Sequence, residues 1–530
     1  MLRYLVTMLR KSSHIERPNE EAILCQGDLT RTAKGAGVNF VGKIIGGLLH
    51  FTYLVIAARM LGDEAFGIFM LALTVAAVTG ALGRAGLEMA VIKFVSKFFE
   101  SADEEAAAVA IRKSLKIAAG ASMVLAVALF FLSYPLATKV FDKQMLSDVL
   151  RILAISLPFN AVMIISLAAT QGFQVMKYSV YGQNLIQPFL NTILLVLLVF
   201  GGFGLRGAAF AQVISIVITC MISCYFLVSM FPRAVRFSEG ESHVPGLLKY
   251  SFALAPVVLF NLMLMWTDTL VLGYYKSSAE VGIYNSAMRT AMINTLIVSS
   301  FSAIFAPMAS DLHGRAEMGR LDALFKVVTK WTYSLSFALF LLIILLPAEI
   351  MSIFGEGFES GANALVVLAI AQIVNTGTGV SGVILVMAEK ERLMFYNALG
   401  AFLLNACLNY ILIPPFGIAG AACATAGTII AVNIIMLAQV VWLLKIHPYS
   451  KGFFKITICG ISAYGATLMI MTLWPLSVKG IYSLIIYAPV FLAIYAVSIV
   501  FSGLDSEDRL ILDAVKQRLS RASGIEEPQS

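Results

Sequence analysis

The sequence predicts an all-α integral membrane protein with about 14 transmembrane helices, arranged as two parallel-repeat six-helix lobes plus two C-terminal helices. Three observations predict this class. Apolar residues make up 59% of the 530 residues, charged residues make up 13%, and the mean hydropathy is +0.87, far outside the range of soluble proteins. Apolar runs of about 20 residues recur along the chain. The second half also repeats motifs of the first half.

The repeat has a nearly constant offset. The segment FGLRGAA at 203–209 returns as FGIAGAA at 416–422, and FGIF at 66–69 returns as VGIY at 281–284. The offsets are 213 (416 minus 203) and 215 (281 minus 66) residues. An even number of spans per copy makes both copies enter the membrane from the same side, so we expect parallel repeats that face each other across a central cavity.

The apolar runs give the elements in order, each interrupted by a short polar, glycine or proline break. The predicted spans are 38–60, 65–86, 116–136, 149–171, 179–202, 207–231, 247–274, 281–305, 327–348, 361–387, 394–415, 420–444, 453–474 and 480–502. The predicted domains are a cytoplasmic amphipathic N-terminal segment at 1–36, an N-lobe at 37–231, a C-lobe at 247–445, two extra spans at 453–503 and a cytoplasmic tail at 504–530.

The distribution of lysine and arginine predicts the orientation. Basic residues concentrate before the first span, in the even-numbered loops and after the last span, which places those segments and both termini in the cytoplasm. The expected location is the cytoplasmic (inner) membrane. The net charge of +7 follows from this topology, so it does not indicate nucleic-acid binding. The first 15 residues resemble a surface-lying amphipathic helix rather than a signal peptide.

Two charges lie deep inside predicted spans, where a charge near the bilayer centre costs roughly 2.5 to 3.5 kcal/mol. Asp268 lies eight residues before the loop residue Lys276, and Arg289 lies eight residues after the next span starts at Val281. Both are therefore about 12 Å below the outer surface on consecutive antiparallel helices, where they are placed to pair. The pair would either fix helix packing or serve function, with Arg289 binding an anionic substrate group and Asp268 taking up a coupling proton or Na⁺. The repeat-equivalent positions, Tyr53 and Thr74, lack the pair.

The first span carries a polar stripe. Asn39, Lys43 and His50 are four and seven residues apart and share one helical face. Lys43 lies about one turn inside the cytoplasmic boundary, where it would either extend to the interface or line the cavity. His50 lies near mid-membrane, as a hydrogen-bonded core residue or as a titrating cavity residue.

Further polar residues are candidates for a gate and for the cavity wall. Arg84 and Glu88 lie one turn apart at the cytoplasmic end of the second span, where Glu88 could pair with Arg84 or Lys43 as a gate, or simply close a helix end. The fifth span carries Gln183, Asn184 and Gln187, which would either hydrogen-bond sugar hydroxyls or hold helices together.

Several function classes find no support. The sequence has no phosphate-binding Gly-x-x-x-x-Gly-Lys-Ser/Thr loop and no His-Glu-x-x-His pair, and the predicted outer loops are too short for a catalytic domain. The six cysteines are expected to pack as small apolar residues without a metal. We therefore expect no enzyme and no bound cofactor, and any uphill transport would draw on an H⁺ or Na⁺ gradient or the membrane potential.

The ordered motifs resemble polysaccharide biosynthesis flippases of the Wzx type, in the multidrug, oligosaccharidyl-lipid and polysaccharide exporter superfamily. The resemblance rests on ARMLG at 58–62 followed by FGIF, on WTD at 266–268 through VGIY to AMR at 287–289, on APM at 306–308 and on the FGIAGAA turn. It implies a V-shaped two-lobe bundle that moves a polyprenyl-diphosphate-linked oligosaccharide from the cytoplasmic to the outer leaflet by alternating access. It also implies functional roles for Asp268 and Arg289.

Other interpretations remain open at the level of sequence. A multidrug or cation antiporter of the same superfamily would favour twelve spans and a cavity rich in carboxylates. A membrane-embedded polymerase or ligase is opposed by the short outer loops, and a non-transporting scaffold of a polysaccharide assembly complex is not excluded. The expected partners are the lipid-linked oligosaccharide, membrane lipids, and a polysaccharide polymerase or other assembly proteins.

Overall fold

The structure, a computed structural model, describes residues 20–232, 244–474 and 480–501. Within these ranges, the side chains of residues 20–41, 257, 304 and 391 fall outside the description. Most of the predicted amphipathic N-terminal segment (residues 1–19), all of the cytoplasmic tail at 504–530 and the side chain of Asn39 therefore lie outside the described part of the protein.

The described residues form α-helices joined by short breaks. The helices are α1 Glu20–Arg84, α2 Leu87–Glu100, α3 Glu104–Pro135, α4 Gln144–Ala154, α5 Ser156–Gly172, α6 Lys177–Ser179, α7 Gln187–Leu198, α8 Gly204–Met230, α9 Leu247–Tyr275, α10 Ser278–Ala291, α11 Ile293–Gly314, α12 Met318–Leu345, α13 Pro347–Met351, α14 Ala362–Gly377, α15 Ser381–Met387, α16 Glu391–Leu444, α17 Lys451–Leu473 and α18 Ile481–Phe501. Short π-helical turns cover Leu136–Val140, Val180–Ile186 and Val199–Phe203, and 3₁₀ turns cover Ser352–Phe354 and Phe358–Gly361.

The predicted class, an all-α integral membrane protein, is confirmed. Ten helical stretches of the described residues are long and apolar enough to cross a membrane, or eleven if the bent pair α4 and α5 counts as one span. The predicted number of fourteen is not confirmed. Two of the ten stretches reverse direction inside, so the number of crossings exceeds the number of continuous helices.

Two side-chain contacts show that the helices reverse direction, because neither contact could form along a straight helix. Asn191 Nδ2 donates to Gln212 Oε1 at 2.8 Å, although 21 residues of straight helix would separate them by about 32 Å. Asn397 Nδ2 likewise donates to Gln439 Oε1 at 2.8 Å, within α16, where straight helix would give about 63 Å. The predicted spans at 179–202 and 207–231, and those at 394–415 and 420–444, are therefore antiparallel pairs.

The two reversals use repeat-related glycines in the same backbone conformation. Gly204 has φ 50° and ψ −131°, and Gly417 has φ 55° and ψ −127°. This region is open to glycine because it has no Cβ. The sequence repeat is therefore also a repeat of backbone geometry. A third long helix, α1, is broken at Gly62, between the predicted spans at 38–60 and 65–86.

The two halves of the chain meet at a pair of repeat-related glycines. A Cβ on Gly67 would overlap the carbonyl oxygen of Ser278, and a Cβ on Gly282 would lie 2.5 Å from the carbonyl oxygen of Asp63. We call this end of the bundle the Gly67 end. Helices α1–α8 are called the N-lobe, and helices α9–α16 are called the C-lobe. Aromatic pairs Phe51–Phe354 and Phe66–Phe358 join the lobes there, with ring centroids 5.7 and 6.1 Å apart. One continuous apolar core spans both lobes.

The lobes also touch at the opposite end of the bundle. Ser251 Oγ, near the start of α9, donates to the carbonyl of Ala85 at 2.7 Å, and Gly86 lies against the Ala255 backbone. Helix α9 of the C-lobe therefore contacts the N-lobe near its start.

The last two helices pack on the outside of the C-lobe. Tyr333, Phe337, Phe491 and Tyr495 form an apolar cluster between α12, α17 and α18. Tyr495 Oη donates to the carbonyl of Ser334 at 2.9 Å. The two extra helices thus extend the C-lobe.

Candidate substrate and ion site

Asp268 is buried inside the C-lobe, where side chains of three other spans bind its carboxylate. Tyr284 Oη on α10 donates to Oδ2 at 2.6 Å, and Thr425 Oγ1 donates to the same oxygen. Asn409 Nδ2 donates to Oδ1 and also to Asn405 Oδ1, the latter at 2.9 Å. The cluster holds a carboxylate, two hydroxyls and two amides, all buried.

The chemistry of this cluster suits a small hard cation or a proton. Oxygen donors from carboxylate, hydroxyl and amide groups are the ligands that hard cations prefer. Asn409 Oδ1 is buried and has no hydrogen-bond partner among the described residues, so an acceptor is left for a cation. No group of three or more His, Cys, Asp or Glu side chains comes together in the described part of the chain.

The predicted ion pair between Asp268 and Arg289 is wrong. The carboxylate is occupied by neutral donors, and among the described residues no ion pair or hydrogen bond reaches the Arg289 side chain. The sequence argument placed both residues at the right depth, but Asp268 faces the interior of its own lobe.

Arg289 lies in a different environment, at the last turn of α10. Its guanidinium carbon is 4.8 Å from the centroid of the Trp266 ring, within the range of a cation–π interaction. Helix α10, which carries Arg289, packs along α1 of the N-lobe, so Arg289 lies on a helix at the interface between the lobes. The guanidinium is half-buried, lies over an aromatic ring and has no hydrogen bond or ion pair among the described residues, so its N–H groups are available to an anionic ligand.

The predicted polar stripe of the first span faces accessible space. Lys43 and His50 are both exposed, although predicted to lie inside a span. Gly46 packs against Asn184 of the π-helical turn at 180–186, where a Cβ would come within 2.5 Å of the Asn184 backbone oxygen. Gln183, Asn184 and Gln187 are half-buried beside this contact. The first and fifth spans therefore form one polar wall.

Arg84 and Glu88, the predicted gate residues, form an ion pair in the structure. Arg84 Nε lies 3.8 Å from Glu88 Oε2, and the pair bridges the break between α1 and α2 at Ala85 and Gly86. No ion pair joins Glu88 to Lys43 in the described residues. A role in gating stays a prediction.

The N-lobe counterpart of the Asp268 cluster lacks a carboxylate. Tyr53 occupies the position equivalent to Asp268, is buried, and its hydroxyl has no hydrogen-bond partner among the described side chains. Gln212, equivalent to Thr425, binds Asn191 as described above. The candidate ion site is therefore confined to the C-lobe.

Sequence reasoning missed the three donors to Asp268, the Asn405 side chain that binds one of them, and the aromatic partner of Arg289. Asn405 and Asn409 are one turn apart in an apolar span, which is a usable signal for a polar face. Tyr284 and Thr425 are single polar positions without a local pattern. Only the repeat offered a hint to Thr425, because its equivalent in the N-lobe, Gln212, is also polar.

The comparisons with known proteins agree with this architecture. The profile of the family described as "Polysaccharide biosynthesis protein" matches residues 32–313, more than half of the chain. The chain belongs to this family. The MatE family profile also matches this chain, at residues 253–411.

Two curated relatives carry names in glycan biosynthesis. The probable low-salt glycan biosynthesis flippase Agl15 of Haloferax volcanii is 23% identical over 404 residues, which cover 76% of this chain and 81% of the relative. The succinoglycan biosynthesis transport protein ExoT of Rhizobium meliloti is 25% identical over 329 residues, covering 61% and 63%.

Solved structures share the fold at low sequence identity. The lipid II flippase MurJ in an inward closed conformation has a TM-score of 0.69 at 15% identity, over 86% of this chain and 97% of MurJ. An inward-facing multidrug resistance MATE transporter has a TM-score of 0.64 at 16% identity, over 77% and 98% of the two chains. These similarities show that the chain shares the fold of these proteins.

Proposed function

We propose that this protein is a flippase that moves a polyprenyl-diphosphate-linked oligosaccharide from the inner to the outer leaflet of the cytoplasmic membrane by alternating access. The observation that carries the proposal is the guanidinium of Arg289, which lies over Trp266 between the lobes and has no ion pair or hydrogen bond among the described residues. Family membership and the names of Agl15 and ExoT support a glycan-linked cargo. No enzymatic step is part of the proposal.

The chemical groups of the proposed cargo are complementary to Arg289 and to the polar wall formed by the first and fifth spans. A diphosphate presents anionic oxygens that accept charge-assisted bonds from an arginine fork, and these bonds are roughly twice as strong as neutral ones. Lys43 adds a basic group and His50 an imidazole on the facing span, and the amides Gln183, Asn184 and Gln187 would hydrogen-bond sugar hydroxyls. The diphosphate would therefore bind at Arg289 and the glycan along the fifth span.

Transport would be driven by an ion gradient through the Asp268 cluster. A proton or Na⁺ entering the cluster would neutralise the buried carboxylate and compete with the donors from Tyr284, Asn409 and Thr425. Because these donors lie on three spans of the C-lobe, ion binding would change the packing of that lobe. This step supplies the energetic difference that alternating access requires.

A multidrug or cation antiporter is the second candidate, supported by the MatE profile match at 253–411. The Asp268 cluster suits either activity, because both depend on a coupling ion. Arg289 separates the two, since a cationic drug would be repelled by a free guanidinium in the cavity. A non-transporting scaffold would need neither residue.

The experiment measures lipid-linked oligosaccharide in cells that lack the protein and in cells that carry variants. We expect the inner-leaflet substrate to accumulate on deletion, wild type and Arg289→Lys to relieve the accumulation at least partly, and Arg289→Ala to fail. The matched control is Arg206→Ala, which removes an exposed arginine paired with Asp148 at 2.6 Å, outside the cavity. Membrane levels of each variant are quantified in parallel.

Two outcomes would contradict the proposal. An unchanged lipid-linked pool after deletion, with no second flippase expressed, would leave the antiporter or the scaffold as the working function. Full relief by Arg289→Ala at normal membrane levels would remove the anion role of Arg289 and shift the search to Lys43.

A further inference from the structure

A lysine of the N-lobe binds the end of a C-lobe helix at the Gly67 end. Lys143 lies between the π-helical turn Leu136–Val140 and α4, and its Nζ donates to the carbonyls of Gly273 at 2.7 Å and Lys276 at 3.0 Å. A third bond, at 3.0 Å, reaches the carbonyl of Phe141 in its own loop. The last carbonyls of a helix have no partner within the helix and carry partial negative charge, so Lys143 caps α9 from the other lobe.

The internal repeat contains a second contact of the same kind. Arg59, near Gly62 in α1, donates through Nε to the carbonyl of Ile353 at 2.6 Å. Phe354 follows Phe141 by 213 residues, so the loops that carry Lys143 and Ile353 are repeat-equivalent. In both contacts, the loop between the third and fourth spans of one lobe meets the end of the first span of the other lobe.

The two contacts differ in strength. Lys143 is half-buried and makes three bonds, two of them across the lobes, whereas Arg59 is exposed and makes one. Burial lowers the pKa of Lys143 from its ordinary value, while the carboxylates of Asp142 and Glu280 raise it. The carbonyl bonds therefore have to offset the desolvation of an ammonium group, which ties Lys143 to the closed arrangement of the lobes.

We propose that Lys143 is the latch of the gate at the Gly67 end, and that its bonds to α9 must break before the cavity opens there. The glycine contact and the aromatic pairs Phe51–Phe354 and Phe66–Phe358 pack this end, but they are apolar and carry no charge. A lysine-to-carbonyl contact can exchange its partners for water when the lobes separate, as a reversible gate requires. In the proposed orientation, this is the end through which the cargo leaves.

The latch also acts on the helix that carries the candidate ion site. Asp268 precedes Gly273 by five residues on α9, or about 7.5 Å along the helix axis. A change in packing around Asp268 therefore moves the carbonyls that Lys143 binds. The latch goes beyond the proposed function, since it concerns opening of the lobes and holds for any cargo.

The test measures the separation of the lobes directly. Spin labels replace Phe203 and Phe416, repeat-equivalent and exposed residues at the reversals of the two lobes, in a cysteine-free background in nanodiscs. Distance distributions by double electron–electron resonance are compared for wild type and Lys143→Met. We expect Lys143→Met to raise the ratio of long-distance to short-distance population about tenfold, because two charge-assisted bonds between the lobes are lost.

Two variants make the comparison specific. Lys139→Met removes a charge from the same loop region, at an exposed lysine without an ion pair or hydrogen bond in the described residues, and should leave the distribution unchanged. Lys143→Gln keeps a donor of shorter reach and should give an intermediate distribution. If Lys143→Met does not accumulate as folded protein, Lys143→Gln carries the test.

A wild-type distribution for the folded Lys143 variants would overturn the latch. An equal shift in Lys139→Met would also overturn it, because loss of surface charge would then be sufficient. Neither outcome depends on a glycan substrate, so failure of the latch and failure of the flippase assignment are distinguishable.

Discussion

The sharpest prediction concerns Asp268, whose carboxylate joins four spans of the C-lobe. We consider two replacements, Asp268→Asn and Asp268→Ala. Asparagine keeps the volume and one acceptor oxygen, which can face the hydroxyls of Tyr284 and Thr425. The Asn409 amide can turn to present its unpartnered oxygen to the new NH₂ group. Asp268→Asn therefore loses charge assistance but few bonds, at a cost of about 1–2 kcal/mol.

Asp268→Ala should cost more, and the contacts give the reason. The hydroxyls of Tyr284 and Thr425 lie 3.0 Å apart and can bind each other after truncation. The Asn409 amide would be left buried with a lost acceptor, at about 1–3 kcal/mol, and the missing carboxyl would leave a small cavity. We expect a total loss of about 3–5 kcal/mol in the stability of the C-lobe.

The assay separates a structural role from ion binding. Thermal unfolding of the purified protein is measured in NaCl, KCl and choline chloride at constant ionic strength, and across a pH series. A specific ion that binds only the folded state at 100 times its Kd stabilises it by about 2.7 kcal/mol. Wild type should show this response to one ion, and Asp268→Asn should lose it while remaining folded.

The control is Asp148→Asn, which removes an exposed carboxylate that pairs with Arg206 far from the cluster. It should keep the wild-type response. The reasoning is refuted if Asp268→Asn retains both the ion response and full clearance of the lipid-linked oligosaccharide. In that case the cluster would only pack the lobe, and the coupling site would lie elsewhere.

Two further predictions concern the repeat-related glycines. Gly67→Ala places a Cβ on the backbone oxygen of Ser278, and no rotamer change can relieve this overlap. We expect the free energy of unfolding to fall by about 1–3 kcal/mol, measured by thermal unfolding. The control is Gly120→Ala, which has open space around it and should not lose stability. Gly417→Ala forces a side chain into φ 55° and ψ −127°, which should cost about 1–3 kcal/mol of unfolding free energy. In the same helix, Gly400→Ala should instead be neutral or stabilising, and equal effects of the two alanines would contradict the backbone argument.

Much of the architecture was predictable because it depends on local composition. Apolar runs marked the membrane helices, and the FGLRGAA and FGIAGAA turns marked the two reversals, since only glycine adopts their backbone conformation. Arg84 and Glu88, four residues apart, form the expected pair for the same local reason. The number of crossings was harder to fix, because helices continue through breaks that interrupt the apolar pattern.

The sequence by itself determined the class of the protein, its duplication, and the rarity of Asp268 and Arg289 as charges inside spans. The tertiary structure alone decided their partners. Asp268 binds Asn409 and Thr425, which lie 141 and 157 residues away, and Arg289 lies on Trp266 instead of the carboxylate. Helical periodicity fixes which residues share a face of one helix, but packing between distant spans decides which faces meet. Lys143 shows the same limit, because its partners are the backbone carbonyls of another lobe, and these leave no trace in the sequence.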